Sequence, residues 1–159
     1  MDNFYLSVIR VFNTNEVEYM VVGGFAVNFH GYNRTTGDLD LWISTHESNL
    51  PRLKVALDEL GFDLPEDAKL ELKSGNMISF SDGQCVVELM TLLNISREVS
   101  FEEALKKVET RIIEEIEVKV ISLEDLKNEK ARSKRYKDLD DLSKLEEAEA
   151  YYAKRLKEE

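Results

Sequence analysis

Hydrophobic and polar residues alternate along this chain in short runs that predict both helices and strands. Between residues 3 and 14 the apolar positions recur every three to four residues, which predicts an amphipathic helix. The residues of its apolar face are Phe4, Val8, Ile9 and Phe12. The apolar run Tyr19–Val22 then predicts a strand, and Asp38–Ile43, which begins by alternating, predicts another.

Two glycines separate the first strand from the segment that follows it. Gly23 and Gly24 come directly after Val22, and the residues from Phe25 to His30 are typical of a short helix. A strand-to-helix turn that needs a positive φ is the plain structural interpretation of these glycines. The same turn would also present backbone N–H groups of the kind that bind phosphate. The sequence leaves both interpretations open.

The rest of the chain contains further turn and capping signals. Ser81–Gln84 carries an Asp-Gly pair and predicts a hairpin between Asn76–Phe80 and Cys85–Met90. Leu70–Lys73 is predicted as a short strand. The Ser-x-x-Glu pattern at Ser100 predicts a capped helix. Two further strands are expected at Arg111–Ile113 and Glu117–Ile121, followed by a helical segment that Ser122 caps.

These elements predict an α/β (α+β) fold in which a mixed β-sheet of about five strands carries flanking helices. At 159 residues, the chain is expected to be a single domain. We expect its core over about residues 1–121 and a helical C-terminal segment over about residues 122–159. The last part, from Glu146, is charged and is expected to extend past the core.

Composition narrows the class of protein further. The chain is 43% hydrophobic and 33% charged, and it has no apolar run long enough to span a membrane. Its N-terminus does not resemble a secretory signal, and its single cysteine, Cys85, cannot form an internal disulfide. We therefore expect a cytoplasmic protein with no membrane partner.

The net charge of −11 argues against binding to extended duplex DNA. One segment is nevertheless basic, since six lysines or arginines lie between residues 127 and 137 against the single acid Glu129. A local basic patch suits a triphosphate or one end of an RNA. The plain alternative is a solvated helix face, which is what charge runs usually are.

Two acidic side chains stand out because they lie on one strand. Asp38 and Asp40 must share a face, since side chains alternate along a strand. Neighbouring carboxylates repel unless a cation lies between them, and hard oxygen ligands favour Mg²⁺ or Mn²⁺. Glu88 is the expected third metal ligand, because an acid that interrupts the apolar run Cys85–Met90 is costly to bury without a partner. An exposed acid on an open sheet face is the alternative for Glu88.

The stretch HGYNRTTGDLD, with the two glycines before it, resembles the nucleotidyltransferase superfamily, whose fold is shared with DNA polymerase β. The narrower likeness is to toxin-like nucleotidyltransferases related to abortive-infection toxins. The C-terminal stretch SLEDLKNEKARSKRYKDLDDLSKL is similar to the same group. Its matching positions are Leu123, Leu126, Lys130, Arg135, Asp138 and Asp141. The family usually has aspartate where this chain has Glu88.

The resemblance implies a role for each matching residue. Asp38, Asp40 and Glu88 would hold the metal, and these three with Lys130 would be the catalytic residues. The nucleotide would be bound by Gly23, Gly24, Arg34, Thr36, Lys130 and Arg135. For Lys130 and Arg135, the alternative is ordinary ion pairing along a helix.

The function implied is metal-dependent transfer of a nucleoside monophosphate from a nucleoside triphosphate to an RNA end (such as that of a tRNA), a protein or a small molecule. A place in a toxin–antitoxin or phage-defence pair, with a cognate antitoxin as partner, follows from the resemblance alone. The alternative is an inactive module of the same fold that binds nucleotide or a partner protein.

Overall fold

The computed structural model describes residues 1–158. Within them the chain forms the helices α1 (Asn3–Thr14), α2 (Gly23–Phe29), α3 (Asn49–Glu59), α4 (Ala68–Lys73), α5 (Phe101–Leu105), α6 (Leu123–Arg132) and α7 (Tyr136–Glu158). The strands are β1 (Tyr19–Val22), β2 (Asp38–Ile43), β3 (Ile78–Ser81), β4 (Val86–Met90), β5 (Glu109–Ile113) and β6 (Ile116–Val120). A short 3-10 helix spans Asn94–Arg97.

The strands form one mixed sheet in the order β3-β4-β2-β1-β6-β5. The pairs β2–β4 and β1–β6 are parallel, and the other neighbours are antiparallel. The predicted mixed sheet with flanking helices is confirmed, but it has six strands where about five were expected. The six strands correspond to those predicted one by one from the sequence, except Leu70–Lys73.

The predicted strand at Leu70–Lys73 is wrong, because these residues lie in α4. Only Leu72 of this stretch is fully buried, while Leu70 is exposed. A strand in this sheet would need alternate residues on the core side, whereas a short helix buries one residue per turn. Helical geometry therefore suits the pattern better than the pleat does.

Alternation along β2 and β4 separates the core from the opposite face of the sheet. Leu39, Leu41, Val87 and Leu89 are completely buried on the core side. Burial of side chains of this size stabilises the fold by roughly 1.5–3 kcal/mol each. The polar positions of the same two strands are left on the other face, where they are only partly covered.

The hairpin between β3 and β4 fixes the position of β4. Asp82 Oδ1 accepts hydrogen bonds from the backbone N–H groups of Gln84 and Cys85, and Gly83 has a positive φ of 100°. The hairpin predicted at the Asp-Gly pair is thereby confirmed. The predicted caps are confirmed as well, since the Ser100 hydroxyl accepts from Glu103 N and the Ser122 hydroxyl accepts from Asp125 N.

Helices α6 and α7 pack against each other, and α6 also contacts α2 and the 3-10 helix. The 23 residues of α7 include a final part, from Glu149 to Glu158, that is exposed throughout. The charged tail predicted from Glu146 onward is seen up to Glu158, and Glu159 lies outside the described residues. Among residues 1–158, no helix combines the length and apolar character needed to cross a bilayer.

Candidate active site

Three carboxylates lie together on the partly open face of the sheet. In the parallel β2–β4 pair, Asp40 is in register with Glu88 and Asp38 with Val86. Because paired residues point to the same face and Asp38 lies two residues before Asp40, all three acids share that face. The structure therefore brings together the residues that the sequence selected as metal ligands. Their roles stay predictions.

The environment of Asp40 is unfavourable for its negative charge. Burial, a hydrogen bond with Glu88 and the charges of Glu88 and Asp38 raise the pKa of the Asp40 carboxyl to about 7, while Lys130 acts in the opposite direction. Near neutral pH, the Asp40 carboxyl is therefore partly protonated in the absence of any other cation. Within residues 1–158 no group of three His, Cys, Asp or Glu side chains is already arranged around a metal position.

The donor set nevertheless fits a hard divalent cation. All three side chains offer oxygen, the ligand type that Mg²⁺ and Mn²⁺ prefer. Protonation of Asp40 reduces the repulsion among the three carboxylates, and a divalent cation would reduce it more fully. Asp38, Asp40 and Glu88 are therefore the residues that would hold such a cation.

The glycine turn approaches these carboxylates closely. A Cβ added to Gly23 would lie 2.0 Å from Asp40 Oδ2, and Gly23 has a positive φ of 63°. A Cβ on Gly24 would lie 2.4 Å from Thr36 Oγ1. The turn therefore needs glycine at both positions for space and, at Gly23, also for its backbone conformation.

Lys130 extends from α6 into the site and is almost fully buried. Its side chain is 7% exposed, and its Nζ lies 2.7 Å from Asp138 Oδ1 and 3.0 Å from Asp141 Oδ2. Both acids belong to α7, so the lysine ties the two helices together beside the carboxylates of the sheet. Removing these carboxylates would leave the buried ammonium group of Lys130 unpaired, which costs much free energy.

The ion pairs continue on both sides of Lys130. Arg34 binds Asp141 with two hydrogen bonds, from Nε to Oδ1 at 2.7 Å and from Nη2 to Oδ2 at 2.9 Å. At the other end, Asp138 Oδ2 accepts from Arg135 Nε and from the Ser133 hydroxyl, both at 2.6 Å. We call the sequence Arg34–Asp141–Lys130–Asp138–Arg135 the ion-pair chain.

Asp138 depends strongly on this arrangement. Burial alone would raise the pKa of its carboxyl, but hydrogen bonds from Lys130, Ser133 and Arg135 outweigh that effect and lower the pKa to about 2. Arg135 differs from the other cations of the chain, because its side chain is 78% exposed. It is the member most accessible to a ligand.

Two adjoining cavities open over the carboxylates. The main cavity, about 480 Å³, is lined by the carboxylates and Lys130 and also by Met77, Leu93 and Asn94. The side cavity, about 170 Å³, lies against the glycine turn, Arg34, Thr36 and Lys137. Asp38, Asp40, Glu88, Lys130 and Arg135 line both cavities. The structure thus places every predicted site residue at one or both of them.

Several residues at the site were not predicted to belong there. Asn94, Glu129 and Met77 line the main cavity, and Ser133 holds Asp138. None of the four is a position that matches the family pattern, although Glu129 and Ser133 lie within the C-terminal stretch that carries it. The sequence left the role of Asp141 undecided. Its spacing could have placed it at the site, because it follows Asp138 by about one helical turn and therefore shares the same helix face.

His30 has a structural position. It ends α2, and its Nε2 lies 2.8 Å from the carbonyl oxygen of Ile121, which ties the loop after α2 to the strand β6 region. The glycine after it, Gly31, has a positive φ of 106°. The His-Gly pair therefore fixes the loop that follows α2.

Over residues 2–158 the chain matches a protein family described as nucleotidyl transferase of unknown function (DUF2204). The chain belongs to this nucleotidyltransferase family. No curated protein matches the sequence of this nucleotidyltransferase.

Two solved structures show the same fold. One is the crystal structure of an antigenic nucleotidyltransferase-like protein from Paracoccidioides brasiliensis, with 20% identity and a TM-score of 0.54 over 89% of this chain and 73% of that one. The other is the solution structure of the antibiotic-resistance factor ANT(2'')-Ia, with 13% identity and a TM-score of 0.52 over 96% and 91% of the two chains.

Substitution of Gly23 tests the close approach of the turn to Asp40. Gly23→Ala should lower the free energy of unfolding by at least about 1 kcal/mol, because the new methyl group overlaps Asp40 and the positive φ is strained. Gly37→Ala is the matched control, since a Cβ there meets no atom within 4 Å. Urea denaturation of both variants measures the difference, and equal stability would contradict the contact.

Substitution of Asp138 tests how much the ion-pair chain contributes to the free energy of unfolding at different pH values. Its carboxyl pKa is lowered from 3.8 to about 2, so its stabilisation is complete above pH 4 and is lost as the pH falls towards 2. Asp138→Asn should therefore cost about 2 kcal/mol at pH 7 and much less at pH 2.5. The exposed neighbour substitution Asp140→Asn should cost under about 0.5 kcal/mol at both. A cost for Asp138→Asn that is the same at both pH values would contradict this account.

Proposed function

We propose that this nucleotidyltransferase moves a nucleoside monophosphate from a nucleoside triphosphate to a hydroxyl group of an acceptor, with Mg²⁺ or Mn²⁺ held by Asp38, Asp40 and Glu88. The observation that carries the proposal is the placement of these three carboxylates at the junction of the two cavities, opposite Lys130 and Arg135. Negative ligands of a cation thus face positive side chains across a space that suits a triphosphate.

The triphosphate tail fits the side cavity best. Gly23 and Gly24 bring the backbone close, Thr36 offers a hydroxyl, and Arg34 and Lys137 add positive charge. Arg34 is already bound to Asp141, so its main role is to fix the loop before β2 against α7 at the side of the cavity. Arg135 is 78% exposed, and while its Nε donates to Asp138 its two outer nitrogens are left for the phosphates.

In the transfer, the acceptor oxygen attacks the α-phosphorus, the bond from that phosphorus to the bridging oxygen breaks, and pyrophosphate leaves. The cation would supply charge neutralisation for the triphosphate. Lys130 places a fixed positive charge beside the reacting groups, where it stabilises negative charge that develops on the phosphate oxygens. Its pairing with Asp138 and Asp141 holds the ammonium group in place without reorganisation.

Glu88 and Asp40 also provide a site for the acceptor's proton. Glu88 lies beside Asp40 on the partly open face of the sheet, where a carboxylate oxygen that is not bound to the cation would accept this proton. Glu88 is one methylene longer than the family's usual aspartate and still reaches Asp40.

For the acceptor we propose an RNA end, a protein side chain or a small molecule. The resemblance to toxin-like nucleotidyltransferases favours RNA or protein, together with a cognate antitoxin. One protein of the same fold is an antibiotic-resistance factor, which supports a small molecule instead.

The proposal is tested with each of the four α-labelled triphosphates, incubated with Mg²⁺, total RNA and cell lysate. Wild type should transfer label to one class of acceptor, and Asp40→Asn should reduce transfer at least about 100-fold because it removes a metal-ligand charge. The exposed Asp63→Asn should behave as wild type. Metal-dependent nucleotide binding without transfer would show that the protein is the inactive module instead. If the protein neither binds nucleotide nor transfers label, both functions are excluded.

A further inference from the structure

Met90 lies two residues beyond Glu88 on the same face of β4, and it marks an end of the main cavity whose side chains the proposed phosphate transfer does not use. Met77, Met90 and Leu93 form an apolar surface there, next to Asn94. Met77 is 54% exposed, although its side chain is large and apolar. Such a surface beside a charged site is suited to a flat, partly apolar group.

We propose that this end binds the nucleobase of the triphosphate, and that Asn94, held in place by Glu129, determines which base is preferred. The inference rests on the proposed function, which it extends from the triphosphate to the base. The side cavity suits phosphate groups, and the main cavity suits a base. The side cavity carries the glycine turn and basic side chains, while the far end of the main cavity has thioether and aliphatic groups.

The geometry of Asn94 gives its amide a fixed orientation. Asn94 Nδ2 donates to Glu129 Oε1 at 2.9 Å, and the backbone N–H of Ile95 donates to Glu129 Oε2 at 3.0 Å. A carboxylate only accepts hydrogen bonds, so the amide nitrogen must be the atom that faces Glu129. The carbonyl Oδ1 and the second amide hydrogen are then left for a ligand in the main cavity.

Helix α6 connects this amide to the reacting groups. Glu129 holds Asn94 at the start of the 3-10 helix, and the next residue, Lys130, pairs with the acids of α7. The positions of the base-binding amide and of the catalytic ammonium group are therefore set by one helix. A triphosphate bound along the main cavity would meet both.

An amide with one acceptor and one donor reads the edge of a base by paired hydrogen bonds. Fixing the amide matters, because a freely rotating asparagine presents either order of donor and acceptor and discriminates little. Glu129 is thus a positioning residue, and Asn94 is the residue that determines specificity. Apolar contact with Met77 and Leu93 adds affinity for every base.

The test is calorimetric titration with the four α,β-methylene nucleoside triphosphates, which cannot be cleaved at the transfer bond, in the presence of Mg²⁺. Inorganic tripolyphosphate serves as the ligand without a base. The variants are Asn94→Ala and Glu129→Gln, and the control is Asn128→Ala, an exposed position on α6 that lines neither cavity.

Wild type should prefer its best base over its worst by about 5-fold or more, the effect of one hydrogen bond. Asn94→Ala should bring this ratio close to one, Glu129→Gln should reduce it, and Asn128→Ala should preserve it. Tripolyphosphate should bind all four proteins within about 2-fold, which a general structural defect would not allow.

Two results would overturn the inference while leaving the proposed function intact. One is a wild type that binds all four analogues equally, and the other is an Asn94→Ala variant with the wild-type ratio. Failure of every analogue and of tripolyphosphate to bind with Mg²⁺ would instead overturn the proposed function, and this inference with it.

Discussion

Asp40 and Glu88 face each other across the parallel strand pair β2–β4, and the arrangement of the site follows from that contact. Burial of Asp40 and the neighbouring Glu88 carboxylate both disfavour its charged form, which is why the pKa of Asp40 rises to about 7. The core side of the same strands carries completely buried aliphatic residues, so the register cannot shift to separate the acids. The fold thus maintains an electrostatic conflict that a cation would resolve.

The ion-pair chain positions positive charge on the helical side of the site, opposite the carboxylates of the sheet. Lys130 keeps its charge in a buried position because Asp138 and Asp141 both accept from it, and Arg34 holds Asp141 by two hydrogen bonds. Through these contacts α6, α7 and the loop before β2 are fixed relative to one another. These ion pairs therefore hold Lys130 and Arg34 in place on the positive side of the cavity.

Local patterns in the sequence were sufficient for much of this arrangement. Alternation along β2 put Asp38 and Asp40 on one face, and the Asp-Gly pair placed the hairpin that delivers Glu88. That Glu88 shares their face depends on the register of β2 and β4, which only the structure gives. Leu70–Lys73 was misassigned because a short segment with one buried residue does not distinguish a helix from a strand.

Contacts between residues that are far apart in the sequence could not be predicted from such local patterns. Arg34 and Asp141 are 107 residues apart, and Asn94 and Glu129 are 35 apart. Their meeting depends on how α6 and α7 pack over the sheet, which no single stretch of sequence records. The partner acids of Lys130, by contrast, are close in sequence and were anticipated in part.

The most direct test of the account is anomalous diffraction from crystals grown with Mn²⁺ and a non-cleavable triphosphate. The account predicts an anomalous peak between β2 and β4, coordinated by oxygens of Asp38, Asp40 and Glu88, and no such peak in crystals of Asp40→Asn. A bound triphosphate with no peak at these carboxylates, or with Mn²⁺ held elsewhere, would contradict it.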